Sequence, residues 1–600
     1  MSFGRDASYS LFDALRPETG SEVTNAVVAT YSLDLVALLG LVLALGGKAD
    51  EEFETGPIGL VDAFRKMRGK LRVICQKGRI VVPRKHHAVL LLLDGMVRQN
   101  PSNERSASWH PKFAFVRYQN SEGPSWRLWI GSRNLTGSHD VEAGLVLTGK
   151  IGGARGAVLH DVVDLANYLL QTDDLPKAVL GELKNVKWSA PPGVKVNRIH
   201  WRKVGSVVPF LSKSTRPRPT IVISPFIDPT GIAEALAFAG GPIGLLTVDG
   251  SAKRVSFPAD VDARIMGAPE ALGKDASEAP IESVDSDFQD LLPQSGLHAK
   301  LLLQKRGTKN VLLIGSANLT RRGLNGPNAE IMAELEISDA ETAKSLTDFF
   351  DCRQKVVFDD KAEDNTDSMR ASLDDDISSL ISKDFRMDLK SSGLALTADS
   401  SLDEFLARNS LHVGLLSLPS HRVEWPRGKA SLLIYEEDLP FKSRTSLVVF
   451  EAVSKSDATV KRKWTQLIPF SNLNYEERDR AAIAAYVGPG RFKDWLRSAM
   501  EGVVPTESET WSGEPKIVGG TRSKGAIDSV FALEYVLGRW ARDPDDFERR
   551  VPDVSSMLLA FSEEIERGAD GHEKESARKD LAEVGTFWTA VSGAIEAGSE

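Results

Sequence analysis

The segment that decides the fold is residues 296–320, which read GLHAKLLLQKRGTKNVLLIGSANLT. His298 and Lys300 stand two positions apart ahead of an apolar run, and Asn318 follows 18 positions after the lysine, within GSANLT. In a β-strand, residues i and i+2 point to the same face, so the imidazole and the ammonium group are expected on one side. Glu330 lies at the start of the next apolar segment. The segment therefore predicts neighbouring strands that present polar groups to one point.

The same pattern occurs a second time, nearer the N-terminus. His110 and Lys112 form another HxK, Asn134 follows 22 positions after the lysine within GSRNLT, and Glu142 comes next. A single HxK is a weak signal because chance supplies it in many chains. Two copies of GSxNLT, each at a similar distance after an HxK, indicate an internal repeat.

The apolar segments around both motifs predict alternating strands and helices. In the second copy the candidate strands are 219–226, 243–249, 297–304, 310–317 and 329–338, with a helix at 230–239. A weaker copy of this order occupies 32–46, 87–97, 111–118, 126–131 and 142–148. Apolar runs of this length are typical of strands covered on both faces, so the predicted fold class is α/β with two related halves.

The chain has 600 residues, which is too long for one compact domain, and five regions are predicted along it. The segment from Asp359 to Asp376 has eight acidic and two basic residues, which is typical of a linker or mobile loop. The predicted regions are a first half at 1–195, a second half at 196–355, an acidic linker at 356–400, an α+β accessory domain at 401–505 and a helical C-terminal region at 506–600.

The repeated residue types suit chemistry at a phosphodiester. Two lysines and two asparagines can hold its charged oxygens, while one histidine attacks phosphorus and the other protonates the leaving oxygen. Glu142 and Glu330 can each accept a hydrogen bond from an imidazole and fix its tautomer. Ser132 and Ser316 are expected to bind phosphate. The arrangement requires no metal and no cofactor.

The duplicated HxK and GSxN motifs resemble those of the phospholipase D superfamily, over roughly residues 20–350. The resemblance implies two pseudo-symmetric halves, each a mixed sheet flanked by helices, that share one active site. It also implies a covalent phosphohistidine that water hydrolyses. His110 is then the nucleophile and His298 the general acid and later base, with the opposite assignment still open.

The chain departs from the superfamily pattern at one position of each motif. Many members carry HxKxxxxD, whereas Arg117 and Lys305 stand at the position of the aspartate here. The missing aspartate is common in tyrosyl-DNA phosphodiesterases and in some nucleases of the superfamily. The departure favours that branch over the phospholipases.

Charge is distributed unevenly along the chain. The whole sequence has a net charge of -9, but residues 65–218 contain 27 Lys and Arg against 10 Asp and Glu, a net of +17. Such a segment predicts a surface for a phosphate-rich partner. The residues expected to bind nucleic acid are Arg65, Lys66, Arg68, Lys70, Arg72, Arg84, Lys85, Arg202 and Lys203. Trp109, Tyr118, Trp126 and Trp129 are candidates for stacking on bases, with core packing expected for at least half of them.

The leading functional hypothesis is a metal-independent DNA nuclease, with a restriction or anti-phage role suggested by the danger of a free nuclease to its host. DNA is favoured over RNA as partner. The alternatives are an end-processing enzyme of the tyrosyl-DNA phosphodiesterase type, a phospholipase, and a nucleic-acid-binding scaffold without activity.

Other features bound the partners and the compartment. The longest apolar run, Leu35 to Leu45, is shorter than the roughly 20 residues of a membrane span, so no membrane partner is expected. Two cysteines and no recognisable signal peptide predict a cytoplasmic protein. The acidic C-terminal region is a candidate for homodimerisation or for binding a regulatory protein.

Overall fold

The first half of the chain forms a seven-stranded mixed sheet. The computed structural model describes residues 10–47, 57–83, 88–137, 140–152, 156–266, 296–338, 340–351, 353–356, 365–493, 495–496, 540–541, 544–568 and 571–598. The strands of this half are β1 (Glu22–Ala29), β2 (Leu33–Asp34), β3 (Leu71–Gln76), β4 (Ile80–Val81), β5 (Val97–Asn100), β6 (Phe113–Asn120), β7 (Gly123–Gly131), β8 (Gly144–Ile151) and β9 (Val186–Ser189). All of them except β2 and β4 belong to the seven-stranded sheet. Its helices are α1 (Leu11–Leu15), α2 (Leu35–Leu45), α3 (Pro57–Met67), α4 (His160–Gln171) and α5 (Ala178–Leu183), with a 3₁₀ helix at Ala88–Met96.

The second half forms an eight-stranded mixed sheet. Its strands are β10 (Val194–Arg202), β11 (Thr220–Ile223), β12 (Ile243–Val248), β13 (Val261–Met266), β14 (Leu301–Arg306), β15 (Lys309–Gly315), β16 (Glu330–Ile337) and β17 (Gln354–Lys355). Its helices are α6 (Pro229–Ala239), α7 (Asp249–Ala252), α8 (Arg321–Leu324) and α9 (Ala340–Asp351).

The two sheets have the same strand order over six strands. The first runs β5-β3-β1-β6-β7-β8 and the second runs β13-β12-β11-β14-β15-β16. In each sheet the first three strands are parallel and the last three pair antiparallel. In this order, each HxK immediately precedes the fourth strand, β6 or β14, and each GSxN spans the end of the fifth strand, β7 or β15.

A single apolar core joins the two sheets. It contains side chains from strands of both, among them Phe113, Leu128, Ile314 and Leu335, all fully buried. Burying apolar surface between the sheets stabilises this arrangement by roughly 25 cal/mol per Å². The shared core brings the ends of both motif-bearing strand pairs to the same edge of the molecule.

Each GSxN loop is tied to its own half by equivalent contacts. Leu33 bridges Leu135 in the first half, as Ile227 bridges Leu319 in the second. The next residue, Asp34 or Asp228, caps the following helix α2 or α6. The longest apolar run, Leu35 to Leu45, is α2, with most of its side chains in the core.

The C-terminal part forms two smaller sheets and several helices. The strands are β18 (Phe385–Lys390), β19 (Gly393–Ala398), β20 (Asn409–Leu415), β21 (Val423–Glu424), β22 (Ser431–Tyr435), β23 (Leu447–Ser454), β24 (Lys461–Leu467) and β25 (Phe470–Ser471). The helices are α10 (Asn365–Ile381), α11 (Asp403–Arg408), α12 (Tyr475–Val487), α13 (Pro544–Arg567) and α14 (His572–Gly598), with 3₁₀ turns at Phe441–Ser443 and Pro489–Arg491. Residues 506–539 of the predicted helical C-terminal region lie outside the described residues.

The acidic segment differs from the linker predicted at residues 356–400. Within this range the described residues include α10, β18 and β19. Leu373, Ile377 and Leu380 of α10 are buried in the core of the accessory domain. The low apolar content misled the prediction because three well-spaced apolar side chains are enough to anchor one helical face.

The accessory domain is also continuous with the first half. Strands β2 and β4 join β24 in a six-stranded sheet whose other members come from the C-terminal part. Buried Arg478 of α12 donates to both carboxylate oxygens of buried Asp94, at 2.6 and 3.0 Å. None of the described helices is long and apolar enough to cross a membrane.

Candidate active site

The two HxK segments are each held by the backbone of the opposite half. The amide of His110 donates to the carbonyl of Ala329, 3.2 Å away. The amide of His298 donates to the carbonyl of Val141, 2.9 Å away. Ala329 and Val141 immediately precede the two glutamates of the motifs. Each histidine is therefore placed beside the glutamate of the other half.

The side chains repeat this crossed arrangement. Nδ1 of His110 lies 3.0 Å from both carboxylate oxygens of Glu330, and Nδ1 of His298 lies 2.9 Å from Oε1 of Glu142. The hydrogen bonds that the sequence predicted are thus present, and their partners come from opposite halves. Because an anionic carboxylate favours the Nδ1–H tautomer, Nε2 of each imidazole keeps its lone pair for chemistry.

The two lysines are fully buried and lie behind the histidines. Nζ of Lys112 donates to the carbonyl of His110 at 3.0 Å, and Nζ of Lys300 donates to the carbonyl of His298 at 2.6 Å. Burial and the charge of Lys300 lower the pKa of Lys112 well below its usual range. Burial lowers the pKa of Lys300 to about 8. The charge of Lys300 thus acts on Lys112, although the two lysines belong to different halves.

The histidines are neutral at ordinary pH. Burial and the nearby lysines lower the pKa of His110 to about 4, although Glu330 acts in the opposite sense. Burial and Lys300 also lower the pKa of His298. Burial raises the pKa of both glutamates, but the neighbouring histidines and lysines outweigh it, so both pKa values lie below the ordinary value. The site thus places two anionic carboxylates beside two neutral imidazoles and two lysines.

The two motif asparagines are held at the ends of β7 and β15. Oδ1 of Asn134 and Oδ1 of Asn318 are buried, and neither atom has a hydrogen-bond partner among the described residues. An unpaired buried polar atom costs about 1–3 kcal/mol. These oxygens can only accept, so each asparagine can contact a phosphate oxygen only through its Nδ2 group.

The motif serines differ from their predicted role in phosphate binding. Ser132 Oγ donates to Glu142 and Ser316 Oγ donates to Glu330. Each Oγ also accepts a backbone amide at 2.9 Å, and both serines are fully buried. A hydroxyl has one proton, which is already donated to the carboxylate. We correct the prediction, since the serines orient the glutamates.

The basic run in α3 and after it is largely paired with acidic side chains. Arg65 contacts Asp553 at 2.9 Å and Arg68 contacts Asp479 at 3.4 Å, both in the C-terminal part. The remaining ion pairs and hydrogen bonds are Lys66 with Asp62, Lys70 with Glu22, and Arg72 with the carbonyl of Gly95. Arg84 and Lys85 lie outside the described residues. Much of the predicted nucleic-acid surface is therefore an interface within the chain.

Arg202 and Lys203, predicted together, have different environments. Arg202 is 2% exposed and donates to five backbone carbonyls, those of Val208, Arg322, Gly323, Leu324 and Asn328. Its role is structural, which corrects the prediction. Lys203 is exposed, with Nζ 5.6 Å from the centre of the Tyr168 ring.

The aromatic residues near the first motif belong to the core. Trp109, Tyr118, Trp126 and Trp129 are between 0% and 8% exposed, so none is available to stack on a base. Core packing was expected for at least half of them and holds for all four, because strands buried on both faces conceal their alternating side chains.

Sequence reasoning missed Tyr31, which follows β1. The ring centre of Tyr31 lies 5.2 Å from that of His110, and Nζ of Lys112 lies 5.8 Å from the same ring. No motif marks this position, and 79 residues separate it from the histidine. The one available signal was its place just after the apolar strand β1, which the predicted repeat did not include.

Comparisons with known proteins give a partial likeness in fold. No protein-family model matches the chain, and no curated protein matches it. Polyphosphate kinase from Porphyromonas gingivalis is 13% identical with a TM-score of 0.30, and the match covers 62% of this chain and 51% of that one. The chain thus spans about half of that enzyme. The yeast tyrosyl-DNA phosphodiesterase is 12% identical with a TM-score of 0.31, covering 53% and 82%. A mutant of the yeast enzyme, also 12% identical, has a TM-score of 0.34, covering 58% and 87%.

Proposed function

We propose that the chain is a phosphodiesterase that cleaves DNA through a covalent phosphohistidine, in one active site shared by the two halves. The observation that carries the proposal is the crossed pairing of His110 with Glu330 and of His298 with Glu142. In the proposed site, two imidazoles, two buried lysines and two amides surround one point. A phosphodiester monoanion has the charge and the oxygen acceptors that such a set would bind.

The first step transfers the phosphoryl group to the enzyme. The lone pair on Nε2 of His110 attacks phosphorus, forming an N–P bond as the bond from phosphorus to the leaving oxygen breaks. Nε2 of His298, protonated, gives its proton to that oxygen. Glu330 stabilises the imidazolium that forms on His110, because its carboxylate accepts a hydrogen bond from Nδ1–H. The lysines balance the charge that develops on the non-bridging oxygens.

The second step releases the product. Nε2 of His298, now neutral, takes a proton from water as the oxygen attacks phosphorus. The N–P bond breaks and its electron pair returns to His110. Glu142 holds His298 in the same tautomer through both steps.

The charges of the site suit this division of roles. A pKa of about 4 keeps His110 unprotonated and nucleophilic near neutral pH. Bound phosphate adds negative charge beside the lysines, and this charge raises the pKa of His298 toward the range of a general acid. The role of His110 as nucleophile therefore rests on its strongly lowered pKa and on the superfamily resemblance.

DNA as substrate is supported by an exposed cation beside the second motif. Lys203 is exposed and follows Arg202, which pairs with Glu330 between β10 and β16. The backbone just after Lys203 is held against the chain that follows Asn318, because the amide of Gly205 donates to the carbonyl of Pro327 at 2.8 Å. A polyanion bound at the site would pass close to Lys203.

The test is cleavage of plasmid, single-stranded DNA and RNA in EDTA by the wild type and by His110→Ala and His298→Ala. Cleavage of DNA by wild type alone, with a phosphorylated histidine trapped on acid-free quenching, is the expected result. Release of choline from phosphatidylcholine without cleavage of nucleic acid would overturn the proposal in favour of a phospholipase. Equal DNA binding by all three proteins without any cleavage would indicate a scaffold.

A further inference from the structure

The repeat between the two halves is broken beside one histidine. The hydroxyl of Thr30 donates to the carbonyl of Ser32 and accepts the amide of Leu135. In the same way, the hydroxyl of Ser224 donates to the carbonyl of Phe226 and accepts a hydrogen bond from the amide of Leu319. Thr30 and Ser224 are thus equivalent, so the residue after each occupies one structural position. That residue is Tyr31 in the first half and Pro225 in the second.

Tyr31 restrains His110 by direct contact. The two rings are tilted by 58° with their centres 5.2 Å apart. Glu330 already holds Nδ1, so the tyrosine ring limits the remaining rotation of the imidazole about that hydrogen bond. Proline at the equivalent position has neither an aromatic ring nor a hydroxyl to do the same for His298.

The tyrosine is itself held in place by a charged network. Its hydroxyl donates to Glu104, and Nε and Nη2 of Arg79 donate to the same carboxylate at 3.1 and 2.9 Å. Nη2 of Arg322, from the second half, donates to the carbonyl of Glu104 at 2.6 Å. Burial raises the pKa of Tyr31, so the phenol stays protonated and continues to donate.

We propose that Tyr31 is a positioning residue that holds His110 in line with the substrate phosphorus and makes the two histidines of the repeated site unequal. The proposal rests on the proposed function. A ring at this distance has a second effect, because its face attracts the imidazolium formed when His110 carries the phosphoryl group. The same ring keeps water away from one side of the imidazole before the substrate binds.

The experiment compares Tyr31→Leu, Tyr31→Phe and the matched Pro225→Ala. We expect Tyr31→Leu to lower kcat by about 10- to 100-fold with KM changed less than about threefold, since misalignment affects the reacting atoms rather than binding. Tyr31→Phe retains the ring and is expected to stay within about fivefold of wild type. Pro225→Ala is expected to leave kcat unchanged.

A second readout distinguishes positioning from a general loss of structure. In Tyr31→Leu the acid limb of kcat/KM should move to higher pH, because water reaching His110 raises its pKa from about 4 toward 6.5. Tyr31→Met, whose unbranched side chain adapts to an irregular space, serves if the leucine variant does not fold. Wild-type kcat and an unmoved acid limb in a folded variant would overturn the role of Tyr31. Full activity of His110→Ala would instead overturn the proposed function, so the two failures are distinguishable.

Discussion

Nδ1 of His298 lies 2.9 Å from Oε1 of Glu142, although 156 positions separate the two residues along the chain. The reciprocal pair, His110 and Glu330, is separated by 220 positions. Neither half therefore contains a complete histidine–glutamate pair. The backbone bonds of both histidines to the residues before these glutamates hold each imidazole beside its partner carboxylate.

The crossed pairs predict that each glutamate matters to the histidine of the other half. We expect Glu330→Gln and Glu142→Gln each to lower kcat by about 100-fold or more, because the neutral amide no longer stabilises an imidazolium. Steady-state kinetics on an oligonucleotide measure the effect. Glu336→Gln, on the same strand as Glu330 but paired with Lys309, is the matched control and should stay near wild type. Equal activity of all three variants would contradict the assignment.

The pH dependence of kcat/KM is expected to be bell-shaped with its maximum on the acid side of neutrality. Activity should rise as pH increases through about 4, where His110 loses its proton and becomes nucleophilic. Activity should fall again as pH rises through the pKa of His298, because the general acid then loses its proton. In the free enzyme this pKa is lowered from the ordinary value of 6.5. A profile measured without metal ions checks both limbs. A flat profile from pH 4 to 8 would exclude these two histidines as the acid and base.

The buried ion pair between Asp94 and Arg478 is expected to stabilise the junction of the first half and the accessory domain. Arg478→Met leaves the carboxylate of Asp94 buried with only Thr445 and the amide of Ser446 as donors. We expect the free energy of unfolding to fall by about 3–5 kcal/mol. Urea denaturation measures it. Lys150→Met removes an exposed pair with Glu122 and should cost less than about 1 kcal/mol.

The basic side chains divide into those paired within the chain and those free to meet a polyanion. We expect Lys203→Met to reduce the slope of log K against log salt for DNA binding by about 0.7–0.9, the value for one phosphate contact. Lys66→Met is the control, because Lys66 is paired with Asp62, and should leave the slope unchanged. Binding isotherms of an inactive His110→Ala background between 50 and 200 mM salt test this. A larger change for Lys66 than for Lys203 would contradict the division.

Local pattern was sufficient for the strands that carry the motifs and for the identity of the clustered side chains. The HxK and GSxN motifs specify which faces of neighbouring strands carry His298, Lys300 and Asn318, because strand alternation follows from the backbone alone. Apolar runs likewise located β12, β15 and α6 close to their observed bounds. The acidic segment failed as a prediction, since its helix depends on a core supplied by distant strands.

By itself, the sequence determined a duplicated α/β unit with two equivalent sets of His, Lys, Asn and Glu. Only the tertiary structure decided which glutamate meets which histidine, that the serines bind those glutamates, and that Tyr31 lies against one histidine and not the other. It also decided which basic side chains pair within the chain, since Arg65 contacts Asp553, 488 positions away. The physical reason is that strand periodicity acts between neighbours in sequence, whereas charge pairing and burial depend on surfaces that meet only when the two sheets and the C-terminal helices pack together.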